Sequence, residues 1–182
     1  MHFYKSQLPS LLVIFLLTVA GRVQAGESCL LLVFNQYCLG GDIMALRTQR
    51  PDFIHQQQEN ERFALIYPAG REKDYVMAYH GRIYKVLRKF EPSTSKRYRE
   101  WRDRLTSQYG LPREMSRFPL HATGLAAKIG AIQRGEGQAL LSWYPQSEPW
   151  HIELAWTREM GLHLAYIIAW QRLQEPEEKR TN

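Results

Sequence analysis

Apolar and polar positions along this chain repeat with two different periods, and the changes between them mark out the elements. The clearest run is 150–157, where Trp150, Ile152, Leu154 and Trp156 alternate with His151, Glu153, Ala155 and Thr157. That is the period of two that turns one face of a strand to a core. Leu162, Leu164, Tyr166 and Ile168 repeat it over 161–168, and the short connection Arg158-Glu159-Met160 makes the two an antiparallel pair. A loop at 158–160 and one at 159–161 give registers two positions apart, so either keeps both apolar sets on one side. A further strand is expected over 138–144.

Earlier in the chain, DYVMAYHGRIYKVLRKF contains two β-rich runs hinged on His80-Gly81. A two-residue loop there predicts a hairpin pairing Met77 with Tyr84 and Tyr75 with Val86. The period then becomes helical. Ser93 or Thr94 can cap a helix that carries Tyr98, Trp101, Leu105 and Tyr109 along one face and stops at Gly110, with Pro112 beyond. Its aromatic stripe should face a core. Leu125, Ile129 and Ile132 predict a second helix within HATGLAAKIGAIQ, despite two glycines that each cost about 1 kcal/mol relative to alanine. Near the start, LLLVF at 30–34 reads as a strand followed by a turn at Leu39-Gly40-Gly41. Ile43 and Leu46 suggest a short helix ending before Pro51. The stretch 52–61, with its run Gln56-Gln57-Gln58, shows no period and is expected to be loop. The expected fold class is α+β: a two-layer sandwich, an antiparallel sheet with helices packed mainly on one face.

Ahead of these elements stands a segment of another kind. Met1 to Gln7, with Lys5, leads into an apolar core of 13 residues, Leu8 to Ala20, and then into Val23-Gln24-Ala25. A membrane span needs about 20 such residues. The pattern is that of a cleaved signal peptide over 1–25, with the mature chain starting at Gly26. One α+β domain is expected over 26–170 and a charged, frayed tail over 171–182, with no transmembrane segment after cleavage. A periplasmic or secreted location follows. It takes nucleic acid off the list of partners, and the mature chain's 22 basic side chains (24 less Lys5 and Arg22) against 18 acidic ones then describe a mildly basic surface.

Export also bears on Cys29 and Cys38, the chain's two cysteines. An oxidising compartment favours pairing, and one connectivity is possible. The bridge closes a ten-residue loop and should add somewhat under about 3 kcal/mol by restricting the unfolded chain. Catalytic dithiols favour C-x-x-C, which this spacing does not match. A lipid anchor on Cys29 lacks the aliphatic residue it needs before it, since Gly26-Glu27-Ser28 precede it.

The search for chemistry finds little. G-x-S-x-G is absent, no two of His55, His80, His121, His151 and His163 are four apart, and the RGEG turn at 134–137 lacks the lysine and hydroxyl of a phosphate loop. No metal site or cofactor is expected. Glu153 and His163 fall on the non-core face of the predicted hairpin, where one register makes them diagonal neighbours. A carboxylate beside an imidazole can serve acid–base chemistry, but it is also an ordinary cross-strand pair. Charge placement stands out more. Nine basic residues against three acids lie between Arg82 and Arg104. They either solvate an outer strand and helix or form an anion- or partner-binding surface around Arg82, Lys85, Arg88, Lys89 and Arg97. The expected function is that of an exported, non-enzymatic envelope (periplasmic) protein, a binding or assembly module whose partner is an envelope protein or an anionic envelope surface. The alternative is a small exported hydrolase with a polar site near His151, Glu153 and His163.

Overall fold

Three backbone reversals with positive φ set up the first half of the sheet, at Asn60, at Gly70 and at His80-Gly81. Glycine meets no penalty there, and asparagine and histidine tolerate it better than branched residues. The structure is a computed structural model and describes residues 29–169. The expected leader, the Gly26 start and the charged tail lie outside the described residues.

In chain order the elements are β1 (Leu31–Val33), β2 (Tyr37–Leu39), α1 (Ile43–Gln49), β3 (His55–Glu59), β4 (Arg62–Ala69), β5 (Glu72–Tyr79), β6 (Arg82–Lys89), α2 (Ser95–Tyr109), β7 (Arg113–Glu114), α3 (Leu125–Arg134), β8 (Ala139–Trp143), β9 (Trp150–Thr157) and β10 (Gly161–Ile168). Strands β1 and β2 form their own hairpin, and the other eight make one antiparallel sheet in the order β3-β4-β5-β6-β10-β9-β8-β7. The fold is therefore mixed α and β. The sheet has two halves, each a run of four neighbouring strands preceded by a helix, joined where β6 meets β10. At that seam Leu87 stands opposite Ala165.

The period of two sorts the sheet's side chains. One face carries Phe63, Leu65 and Tyr67 of β4, Val76 and Ala78 of β5, Ile83 and Val86 of β6, and Leu162 and Leu164 of β10, followed by Trp150 to Trp156 in alternation along β9. All are buried, in one hydrophobic cluster. Into it come Val33, Tyr37 and Leu39 from the hairpin, Ile43 and Leu46 from α1, Leu105 from α2 and Ile132 from α3. Full burial of a leucine such as Leu105 contributes about 1.5–3 kcal/mol.

Helix α2 has the expected limits. The Thr94 hydroxyl accepts the Arg97 amide at 3.2 Å, and Gly110 ends the helix at φ 83°. The Gly110 carbonyl accepts the indole N–H of buried Trp143 at 3.0 Å. Of the predicted stripe Leu105 is fully buried, while Tyr98, Trp101 and Tyr109 are half-buried against the cluster. Trp101 stacks on Phe90 with Arg104 over its ring.

Two expectations need correction. Residues 55–59 are not loop but the edge strand β3, paired with β4. In the β5–β6 hairpin the two-residue turn holds for Tyr79 with Arg82 and Ala78 with Ile83. A bulge then shifts the register by one, so Met77 meets Lys85 and Tyr75 meets Leu87.

Candidate functional site

Because strand side chains alternate, the residues between the core positions point to the sheet's second face. Across its middle this face carries Ile66, Tyr75, Leu87, Ala165, Glu153 and Ser142 in one row. A neighbouring row holds Ala64, Met77, Lys85, Ile167 and His151, and another has His163 opposite Ala155. Leu87, Ala155 and Ala165 are buried there yet stand apart from the main cluster. The β9–β10 register brings the sequence-predicted His151, Glu153 and His163 onto this surface, with Glu153 and His163 as diagonal neighbours.

His151 Nε2 and Glu153 Oε1 are 3.4 Å apart, and the His151 ring stacks on Tyr144 with 5.2 Å between centroids. The imidazole N–H donated by His151 holds the Glu153 carboxyl below the usual carboxylate range, with help from Lys85 and against partial burial. His163 is only 8% exposed. Burial lowers its pKa below the ordinary 6.5, a nearby Lys85 adds to this, and contact with the Gly161 carbonyl and Glu153 opposes it. His163 Nδ1 lies 3.0 Å from the Gly161 carbonyl, so in its neutral form Nδ1–H donates and Nε2 keeps the lone pair. Ser142, directly opposite Glu153, is fully buried and its hydroxyl has no hydrogen-bond partner. Sequence reasoning missed Lys85 and Ser142 here. Both join the cluster through pairings with β10 and β9 that no local pattern specifies.

Of the five cations of the predicted basic surface, Arg82, Lys85 and Lys89 lie along β6 on the second face, while Arg88 and Arg97 lie elsewhere. Arg88 lies on the core face, where Nε and Nη2 each donate at 2.7 Å to the carboxylate of Asp74, which is fully buried. Its guanidinium also stands 4.0 Å from the Phe34 ring centroid. Arg97 pairs with Glu72 at 2.7 Å and Lys89 with Glu91 at 2.9 Å. At Arg82 it is the backbone that makes an isolated antiparallel β-bridge with Asp42, beside the turn into β6. Lys85 faces the His151–Glu153–His163 cluster.

An open cleft of about 280 Å³ lies elsewhere, lined by Arg117, Gly135, Glu136, Gly137, Arg158 and Glu159 among others. The RGEG turn thus borders a cleft of mixed charge. Among the described residues no group of three or more histidine, cysteine, aspartate or glutamate side chains is placed to hold a metal ion. Cys29 and Cys38 form a disulfide. No described helix is long and apolar enough to cross a membrane.

No protein-family model matches the chain, and no curated protein matches it. Among solved structures it is similar to a cysteine-rich secretory protein from Staphylococcus aureus subsp. aureus Mu50, at 8% identity and a TM-score of 0.41, covering 74% of this chain and 44% of that one. It is also similar to an extracellular protein containing a SCP domain from Bacillus anthracis str. Ames, at 11% identity and a TM-score of 0.40, covering 86% of this chain and 52% of that one. The chain spans about half the length of these structures. Likeness this loose carries no argument about what the chain does.

Proposed function

We propose that this protein is an exported, non-enzymatic module of the cell envelope, a two-layer α+β sandwich that binds another envelope protein through the second face of its sheet and needs no cofactor. The observation that supports this is the make-up of that face. Half-buried Ile66, Tyr75, Met77 and Ile167 share it with Lys85, His151, Glu153 and His163. Tyrosine and methionine beside a few polar groups are typical of protein interfaces. The disulfide and the leader pattern fit export to an oxidising compartment.

The competing reading is a small hydrolase working through His151, Glu153 and His163, and the His151–Glu153 contact favours it. Against it, a nucleophile must reach its substrate, and the hydroxyl nearest Glu153 in register, that of Ser142, has no exposed surface. The two readings separate in one experiment. Tagged protein is recovered from envelope extracts after crosslinking, alongside a variant carrying Tyr75→Glu and Met77→Glu, and both are screened for ester and glycoside hydrolysis. A captured protein that the variant fails to retain is the expected result. Capture unchanged by the variant, or turnover abolished by His151→Ala, would overturn it.

A further inference from the structure

The segment joining β7 to α3 presents an apolar tip that the sheet face does not explain. From Met115 to Gly135 the chain carries Arg117, Lys128 and Arg134 and no acidic residue at all. Within this stretch Leu120 is 99% exposed and Leu125 43% exposed. Ala126 and Ala127, in the first turn of α3, are exposed as well. Single exposed leucines are common. This segment differs in carrying Leu120 and Leu125, with Ala126 and Ala127 beside the latter, within eight positions of a loop and helix start that are firmly held at their base.

The base is built from three contacts. Arg117 and Gln138 exchange both backbone hydrogen bonds, at 2.9 and 2.8 Å. Phe118 packs so closely on Gly137 that a Cβ there would lie 2.6 Å from the Phe118 ring. Ala122 is buried, and its amide donates to the Pro119 carbonyl at 2.9 Å. Between these fixed points Leu120 stands out into solvent. Lys128 lies over the Phe118 ring at 5.2 Å, which places a cation beside the apolar tip, and Arg117 is exposed at its root.

We infer that this tip is a membrane-surface contact: Leu120 and Leu125 enter the headgroup–acyl boundary of an anionic bilayer while Arg117 and Lys128 meet the lipid phosphates. Charge complementarity favours a lipid surface over a protein here. Arg134 is paired with Glu136, which also lies near His121, so Arg117 and Lys128 are the cations the tip turns to an anionic bilayer, and the segment from 115 to 136 keeps a net positive charge. Each basic residue near such a surface strengthens binding by about fivefold.

Hydrogen exchange of the full chain, with and without vesicles, reads the segment directly and is indifferent to what the N-terminal residues do. Vesicles of phosphatidylcholine containing about one third phosphatidylglycerol should slow exchange over 115–130 and leave β9 unchanged. The double variant Leu120→Asp, Leu125→Asp should lose that protection while melting normally, since both side chains are exposed. Replacing Arg117 and Lys128 together by glutamine should weaken vesicle binding by about thirtyfold. Unchanged exchange over 115–130, protection equal on pure phosphatidylcholine, or protection that appears without vesicles as protein concentration rises would overturn the inference. The last result would make the tip a self-association surface.

Discussion

The Arg88 and His163 side chains show how a strand position decides what a charged residue can do. Arg88 reads as surface charge in a basic run, yet it sits among core residues because it lies in phase with Val86 and because buried Asp74 meets it with both carboxylate oxygens. Removing Asp74 leaves Arg88 with Glu72, at 3.7 Å, as its remaining counter-charge. Asp74→Ala should therefore destabilise the protein by about 3 kcal/mol in urea unfolding, the low end for a broken buried pair, and replacing both members by leucine-like residues should recover most of it. His163 makes a different prediction. The folded protein holds its imidazole below 6.5, so the unfolded chain takes up the proton first as pH falls. Its neutral burial thus contributes fully above 6.5 and less as pH drops through that value. Stability measured by chemical denaturation at about pH 8 and about pH 5 should differ less for His163→Gln than for the unmodified chain. Glu153, whose carboxyl is depressed from 4.5, adds a loss confined to lower pH, which keeps the two effects apart.

For whole elements, the sequence was legible where one face is buried and the other wet. The β9 and β10 limits and both ends of α2 follow from alternation and capping alone. Strand β3 escapes because its sequence, HQQQE, is almost wholly exposed, and its position comes from pairing with β4 rather than from any pattern of its own. In β4, Phe63, Leu65 and Tyr67 do alternate, but Ala64 and Ile66 between them blur the period. The bulge that brings Lys85 opposite Met77 is likewise invisible locally, and with it the cation's place beside Glu153. The β1–β2 hairpin has three residues per strand, too few to be stable alone, so the Cys29–Cys38 bridge should matter for holding it. Replacing both cysteines by serine should cost somewhat under about 3 kcal/mol and lower the melting temperature modestly, with the sheet's circular dichroism retained.

On the scale of the whole molecule, the arrangement is governed by the meeting of β6 and β10, the last strands of the two halves. These strands pair side by side although about 80 positions separate them in the chain (Arg82 to Gly161 at their starts). During synthesis the first half can form its meander as soon as β6 has emerged, but that strand then presents an unpaired row of amides and carbonyls until the final described strand arrives. Long-range pairings of this kind are slow to form, and an uncovered strand edge is a template for pairing with other chains. The seam that completes the sheet therefore also sets the interval during which the growing protein is most open to aggregation, and it makes the last eight residues of the sheet the ones on which solubility of all the earlier strands depends.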